Sequence, residues 1–204
     1  MHHCKDTWYL CPGPDGDDAV VERIMTRQDD INVHRLHERL VQLMALKDVP
    51  RAGWVRAGVS GEESVAGHSW GVTLLAALLC PEGLDRNRVM TLGLIHDLAE
   101  LIVGDITPYD GVAPEEKSRR EREAMGELTQ GLPNAALWLS CWEEYEAGES
   151  AEAVFVKACD KLEMALTARH YATTRECDTS EFIASALERL PPGILRALAA
   201  VEDA

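Results

Sequence analysis

The feature that most constrains this chain is an apolar stretch, residues 93–105, that contains four titratable side chains. The stretch reads GLIHDLAELIVGD, and its titratable residues are His96, Asp97, Glu100 and Asp105. It lies in an apolar run that predicts a buried helix from an N-cap at Asp85 to a C-terminal stop at Gly104. Burying charged groups costs free energy unless partners compensate them. A bound divalent cation is a single partner that compensates all four.

The spacing within this stretch indicates where the four side chains point. On a continuous helix His96 and Glu100 share a face, because they are four residues apart, and Asp97 is rotated by about 100° from His96. The polar groups would then converge from one flank of the helix. Asp105 follows the predicted stop and can turn back towards the same pocket.

Two polar residues elsewhere in the chain favour a metal site, because each lies in its own apolar helical run. His68 is expected in the first turn of a helix capped by Ser64, and Asp160 on the apolar flank of a helix that begins at Ser150. The alternative for the central His-Asp pair is a hydrogen-bonded core pair, since buried polar groups normally find partners.

We therefore predict a metal centre built from three helices, with the ligands His68, His96, Asp97 and Asp160. Mixed nitrogen and oxygen donors suit Mn, Fe, Co, Ni or Zn better than Ca, and the absence of cysteine ligands argues against a closed structural zinc site. Two or more coordination positions would stay open, which is typical of a catalytic site. A divalent ion there would acidify water to a pKa of about 7 and polarise a phosphoryl oxygen.

Helical periodicity along the rest of the chain predicts an all-α fold. We expect a single-domain bundle of about seven or eight helices over residues 31–204, because no strand-like alternation extends beyond a few residues. Residues 51–56 are predicted to form a loop. Residues 1–30 show no sustained period and are expected to form a poorly ordered or loosely docked extension.

Charge and hydropathy exclude several classes of partner. The chain has 35 acidic and 20 basic residues, a net charge of −15, which argues against a nucleic-acid partner. A small anionic substrate is compatible with this charge, since local charges decide within a Debye length of about 8 Å. Without an apolar stretch of bilayer length or a signal-peptide pattern, we expect a cytoplasmic protein with no membrane partner.

The order His…His-Asp…Asp, with the ligands named above, resembles the HD-domain metal-dependent phosphohydrolases. Matching text extends over roughly residues 36–172 and resembles the 5′-deoxynucleotidase type of that family. It includes the segments VPRAGW (49–54), ESV (63–65), HDLAELIVGD (96–105), EEK (115–117) and KACDKLEM (157–164). Two positions depart from the family pattern: Gly67 stands where an acidic residue usually precedes the first ligand histidine, and Gly53 stands directly before Trp54 where an arginine is usual.

The resemblance implies a nucleotide-hydrolysing enzyme with an HD-domain helical fold. One divalent ion (Co, Mn, Fe, Ni, Zn or Mg) would be held by the four ligands, with Glu100 and Asp105 catalytic and Arg51 and Trp54 binding substrate. The expected reaction is hydrolysis of deoxynucleoside 5′-monophosphates, carried out by a homodimer. Two alternatives remain open: an HD phosphohydrolase that acts on nucleoside di- or triphosphates or on a modified nucleotide, and a non-catalytic nucleotide-binding module.

Overall fold

The computed structural model describes residues 32–175 and 177–201, so the predicted extension over residues 1–30 lies outside the described residues. The described part is all-α, which confirms the predicted fold class. Its helices are α1 (Val33–Met44), α2 (Ala52–Arg56), α3 (Val65–Leu79), α4 (Arg86–Ile95), α5 (Glu100–Val103), α6 (Pro114–Thr129), α7 (Ala135–Ala147), α8 (Ala151–Thr174), α9 (Ser180–Arg189) and α10 (Ile194–Ala199), with 3₁₀ turns at Ala45–Asp48 and Pro108–Asp110. None of these helices has both the length and the apolar character needed to cross a membrane.

The long helices agree with the predicted number. Within the described ranges seven helices, α1, α3, α4, α6, α7, α8 and α9, have ten or more residues. The remaining helices, α2, α5 and α10, have four to six residues. The short helix α2 lies where the sequence predicted a loop, because segments of this length carry no recognisable apolar period.

Side-chain caps set several helix boundaries as predicted. The hydroxyl of Ser64, the carboxylate of Asp85 and the hydroxyl of Ser150 accept backbone N–H groups from the first turns of α3, α4 and α8. Asn134 precedes α7, but its backbone is left-handed, with φ of 56°, and its side chain makes no capping hydrogen bond. Asn134 therefore does not cap α7 through its side chain, although asparagine is a favoured N-cap residue.

The core is organised around α8, which packs against α3, α4, α7, α9 and α10. Large side chains with less than 2% exposure, among them Leu92, Trp142 and Leu162, fill the space between these helices. α3 and α4 approach closely at Gly93, where an added Cβ would lie only 3.2 Å from Cα of Thr73. This close approach brings the end of α4 beside the beginning of α3.

The predicted continuous central helix is interrupted. α4 ends at Ile95 and α5 begins at Glu100. The backbone between them forms tight turns, in one of which the N–H of Glu100 donates to the carbonyl of Asp97. Nδ1 of His96 lies 2.8 Å from the carbonyl of Gly93, the acceptor that Asp97 N–H would use in a continued helix. This competition for one acceptor gives a physical reason for the interruption. His96 and Asp97 are therefore presented by a turn, whereas Glu100 begins α5.

Candidate metal centre

The four predicted ligands meet between three parts of the bundle. They are His68 in the first turn of α3, His96 and Asp97 in the turn after α4, and Asp160 within α8. Nε2 of His68 lies 3.4 Å from Oδ1 of Asp160 and 3.7 Å from Oδ2 of Asp97. Nε2 of His96 lies 3.1 Å from the same oxygen of Asp97. Both imidazoles therefore direct Nε2 towards the two carboxylates.

Three buried polar atoms around this point have no hydrogen-bond partner among the described residues: Nε2 of His68, Nε2 of His96 and Oε2 of Glu100. The nearby carboxylate oxygens are not oriented to hydrogen-bond them. Leaving such an atom buried without a partner costs about 1–3 kcal/mol. A cation between the nitrogens and the carboxylates removes this cost, and mixed nitrogen and oxygen donors suit a divalent transition metal. The donor set therefore fits a divalent metal ion.

The remaining ring nitrogen of each histidine is held by a different acceptor. Nδ1 of His68 lies 2.6 Å from Oε2 of Glu163, whereas Nδ1 of His96 lies 2.8 Å from the carbonyl of Gly93. Each acceptor favours the tautomer with its proton on Nδ1, which leaves the lone pair of Nε2 available to a metal. The sequence departs from the family pattern at Gly67, and in the structure the acidic partner of His68 is supplied by α8 instead.

The two carboxylate ligands are kept ionised by positive neighbours. Burial raises the pKa of Asp97, but His96 and Arg51 outweigh burial and hold that pKa below its ordinary value. Burial also raises the pKa of Asp160, and the ammonium group of Lys161 is the largest of the opposing effects that hold it well below its ordinary value. Both side chains are thus available as anionic ligands at neutral pH.

The same charges favour a cation beside His68. Burial and Arg51 lower the pKa of His68. The carboxylates of Glu163 and Asp160 outweigh both effects and raise it to about 10. A divalent ion at this position takes the place of the proton on Nε2, because metal and proton compete for the same lone pair.

Two further acids lie around the ligands, as the sequence predicted. Glu100 is 4% exposed, and its burial, together with Asp97 and Asp105, raises its pKa well above the ordinary value. Oδ2 of Asp105 accepts the backbone N–H of Ala52 at 2.8 Å and lies 3.7 Å from Nη1 of Arg51. The same Nη1 donates to Oδ2 of Asp97 at 3.4 Å. The structure thus places Arg51 beside one predicted metal ligand and one candidate catalytic acid.

Trp54 lies on α2 and borders a cavity next to the metal pocket. Its ring is 2% exposed and packs against Phe182, with ring centroids 4.2 Å apart, and its Nε1–H donates to Oε1 of Glu63 at 3.0 Å. The cavity that Trp54 lines has a volume of about 440 Å³. The residues that line both this cavity and the metal pocket are Arg51, Asp105, Lys117 and Lys161.

Sequence reasoning missed three residues that contact the ligands. They are Glu163, whose carboxylate holds His68, and Tyr145 and Lys161, which donate to Oδ2 of Asp160 at 3.3 and 2.9 Å. Glu163 follows Asp160 by one helical turn in an apolar region, a spacing that could have identified it. Tyr145 is buried in the core, and its hydroxyl reaches the metal pocket.

The arrangement can bind a cation and a phosphate together. The ligands provide nitrogen and oxygen donors, Arg51 and Lys117 line the pocket with positive charge, and Glu100 is buried within the same pocket. Metal-assisted hydrolysis of a phosphate ester uses a Lewis acid, an acid or base near the attacking water, and cations around the phosphoryl oxygens. Glu100 can serve as the acid or base, Arg51 and Lys117 can supply the positive charge, and a divalent ion bound by the predicted ligands would be the Lewis acid.

Comparison with known proteins agrees with this chemistry. A family model described as HD domain matches residues 43–198. The 5′-deoxynucleotidase HDDC2 of Bos taurus is 49% identical over 128 residues, which cover 62% of this chain and 62% of that protein. The protein of the same name from Homo sapiens is 47% identical over 128 residues, covering 62% of this chain and 63% of that protein. The match therefore spans less than two thirds of the length of either relative.

A solved structure also resembles the fold. The chain from Magnetospirillum magnetotacticum MS-1, described as a predicted metal-dependent phosphohydrolase, superposes with a TM-score of 0.62 at 29% identity. The superposition covers 82% of this chain and 88% of that chain. The similarity thus extends over most of this chain.

Proposed function

This chain belongs to the HD domain family, and from that premise we propose that it is a metal-dependent phosphomonoesterase that converts deoxynucleoside 5′-monophosphates to deoxynucleosides and phosphate. One observation carries the proposal: the unpartnered Nε2 atoms of His68 and His96 face the carboxylates of Asp97 and Asp160 beside a buried Glu100. The relatives named 5′-deoxynucleotidase support the choice of substrate.

One divalent ion would be held by the two histidine Nε2 atoms and the two aspartates. Co, Mn, Fe, Ni, Zn and Mg are the candidates; the two imidazole nitrogens suit the transition metals, whereas Mg prefers oxygen donors. When bound, the ion supplies a Lewis acid for a phosphoryl oxygen and lowers the pKa of water. The chain contributes by keeping Asp97 and Asp160 ionised and by holding both imidazoles in one tautomer.

Two acids would move protons during the reaction. Glu100 is proposed to orient the attacking water and take its proton, a role that suits a buried carboxylate whose pKa is raised. Asp105 is proposed to protonate the leaving 5′-oxygen of the nucleoside. Oδ2 of Asp105 also accepts the backbone N–H of Ala52 and lies near Arg51. Asp105 would therefore also hold this part of the substrate pocket in position.

Arg51 and Trp54 are the proposed substrate-binding residues. The guanidinium of Arg51 lies between Asp97 and Asp105, where it can pair with phosphoryl oxygens that approach the metal. Trp54 borders the adjoining cavity, where its rigid ring would exclude a ribose 2′-hydroxyl.

We further propose that the enzyme is a homodimer. Exposed apolar side chains lie on α3 and α4, among them Trp70, Leu78 and Leu94 at 67%, 70% and 57% exposure, and a second copy could cover them. Sedimentation should give a mass close to twice 22.5 kDa. A monomer at micromolar concentration would contradict the dimer without affecting the catalytic proposal.

The cytoplasm is the proposed location, because the cysteines of the described residues, Cys80, Cys141, Cys159 and Cys177, are unpaired, as is usual in a reducing compartment. The proposed partner is a small nucleotide, and the net charge of −15 makes nucleic acid an unfavourable one.

A metal-supplemented screen tests the function. The purified protein is incubated with Co²⁺ or Mn²⁺ and with deoxy- and ribonucleoside mono-, di- and triphosphates, and released phosphate and pyrophosphate are measured separately. We expect phosphate from deoxynucleoside monophosphates and loss of activity with a chelator. Pyrophosphate or triphosphate release would identify the di- or triphosphate alternative, and binding without turnover would identify a non-catalytic module. Equal kcat/KM for AMP and dAMP would contradict the deoxynucleotide assignment.

A further inference from the structure

The two histidine ligands differ in what holds them. The carbonyl of Gly93 holds His96, whereas an anionic carboxylate, that of Glu163, holds His68. His68 is 1% exposed at its side chain and Glu163 is 8% exposed, and their contact distance of 2.6 Å is short. A buried charged acceptor strengthens a hydrogen bond and makes the opposite nitrogen of the ring a better metal donor.

The carboxylate of Glu163 is fixed at both oxygens. Oε2 contacts Nδ1 of His68, and Oε1 accepts a hydrogen bond from Oγ1 of Thr167 at 2.8 Å. Thr167 lies on the next turn of α8, so the same helix that supplies Asp160 also orients Glu163. The carboxylate therefore has little freedom to turn away from the histidine.

Gly71 on α3 has no side chain, and the carboxylate of Glu163 occupies the space that a side chain would fill. A Cβ added to Gly71 would lie 2.8 Å from Oε1 and 2.9 Å from Cγ of Glu163. Distances below 3.0 Å between such atoms force a displacement, so any larger residue at position 71 would push Glu163 away from His68. Gly71 and His68 lie one turn apart on α3, which places both beside Glu163.

We propose that Glu163 is a positioning residue that acts on the metal through His68. It keeps the proton on Nδ1, directs Nε2 to the metal position and raises the donor strength of that nitrogen. We assign Glu163 to this supporting role because its Oε2 contacts Nδ1 of His68, whereas the other ring nitrogen, Nε2, lies towards Asp97 and Asp160. The inference rests on the proposed metal-dependent function and adds to it a determinant of metal affinity.

The variant Glu163→Gln removes the charge and keeps the shape. The amide oxygen can still accept from His68, and the amide NH₂ can donate to Oγ1 of Thr167. We expect Glu163→Gln to bind Co²⁺ about 10- to 100-fold more weakly, the usual cost of losing such a partner. Competition with a chromophoric chelator measures the affinity without any substrate. The d–d absorption of bound Co²⁺ reports whether the ligand set is unchanged.

The matched control is Glu144→Gln, which neutralises a partly buried carboxylate paired with Arg88, away from the metal pocket. It should lower stability and leave the affinity for Co²⁺ unchanged. At saturating Co²⁺, Glu163→Gln should recover a kcat close to that of the wild-type protein. If Glu163→Gln lowers Tm but binds Co²⁺ as tightly as the wild-type protein, the residue is a structural anchor and the proposal is wrong.

A second variant tests the role of Gly71. Gly71→Ala should weaken Co²⁺ binding in the wild-type background, because the new methyl group displaces Glu163. In a Glu163→Ala background the same change should cost no further affinity, since the atoms it would displace are gone. Equal effects in the two backgrounds would contradict the proposal. Failure of the wild-type protein to hydrolyse deoxynucleotides would overturn the proposed function, and it would leave this comparison of metal affinities intact.

Discussion

The metal pocket and the cavity beside it are built from different kinds of structure. The ligands lie on α3, on α8 and in the turn that ends α4, and the imidazoles of His68 and His96 are each held by a buried acceptor. The adjoining cavity is lined by short α2, by residues 105–109 and by α9, and Tyr109 at its edge is 67% exposed. His68 and Asp160 thus lie on long helices and His96 and Asp97 in the turn between α4 and α5, whereas part of the cavity wall comes from short α2 and from residues 105–109.

This difference separates catalysis from selectivity. Ligands held by packed helices keep their geometry without a substrate, which catalysis by a metal requires. Short segments with exposed side chains can change in sequence at little cost in stability. We therefore expect changes in the metal pocket to abolish the reaction and changes in the cavity to alter which substrates are used.

The largest effect is expected from removing a ligand. Replacing His96, Asp97 or Asp160 by Ala should abolish both bound metal and activity, because the remaining donors cannot hold the ion. Metal content by elemental analysis and phosphate release measure the two losses. Glu123→Ala, which removes an exposed carboxylate paired with Arg119, should change neither. Full turnover by a metal-free Asp160→Ala variant would end the metal-hydrolase interpretation.

The sequence named four residues that the structure brings together, because each is a polar residue in an apolar run. Caps such as Ser64 and Ser150 marked where those helices begin, so the ligands could be placed on them. The interruption after Ile95 was not predicted. It depends on a contact between the His96 side chain and the carbonyl of Gly93, and the pattern of apolar residues does not indicate such a contact.

The cavity could be predicted only in part. Trp54 was named as substrate-binding because of the family resemblance, but its segment gave no helical signal. The positions of Phe182 and Tyr109 around the cavity depend on tertiary packing between distant segments, which the pattern of one segment does not specify. Glu163, in contrast, was missed although it follows Asp160 by one helical turn, a spacing that could have identified it.

The second largest effect is expected at Glu100. Glu100→Ala should keep the metal and lose about 10²- to 10⁴-fold in kcat, because it removes the group proposed to orient and deprotonate water. Metal content and kcat on a deoxynucleoside monophosphate, measured on the same preparation, separate the two effects. Loss of metal in parallel with activity would show that Glu100 acts as a ligand and would contradict its proposed role.

Asp105 lies where the metal pocket meets the cavity, and its variant is expected to have an effect that depends on the substrate. Asp105→Asn should lower kcat on deoxynucleotides by about 10²-fold if Asp105 protonates the leaving oxygen. Turnover of p-nitrophenyl phosphate, whose leaving group needs no proton, should change much less. Equal losses on both substrates would mean that Asp105 acts only by orienting Ala52 and Arg51, which it contacts in the structure.

The smallest effect is expected in the cavity, at Trp54, and it should appear only in substrate choice. Trp54 is 2% exposed and packs on Phe182, so Trp54→Ala would leave a cavity costing about 3–5 kcal/mol of stability. Trp54→Phe keeps an aromatic ring and is the better test.

Excluding a 2′-hydroxyl by leaving it buried without a partner is worth about 1–3 kcal/mol, or roughly 5- to 150-fold in specificity. Trp54→Phe should therefore raise the kcat/KM of AMP relative to that of dAMP by up to this factor, with metal content unchanged. As a control, Trp138→Phe removes an indole N–H that donates to the carbonyl of Pro133. It should leave the ratio of kcat/KM for AMP and dAMP unchanged. If Trp54→Phe reduces both substrates equally, Trp54 supports the packing of α2 and α9 and selectivity resides elsewhere in the cavity.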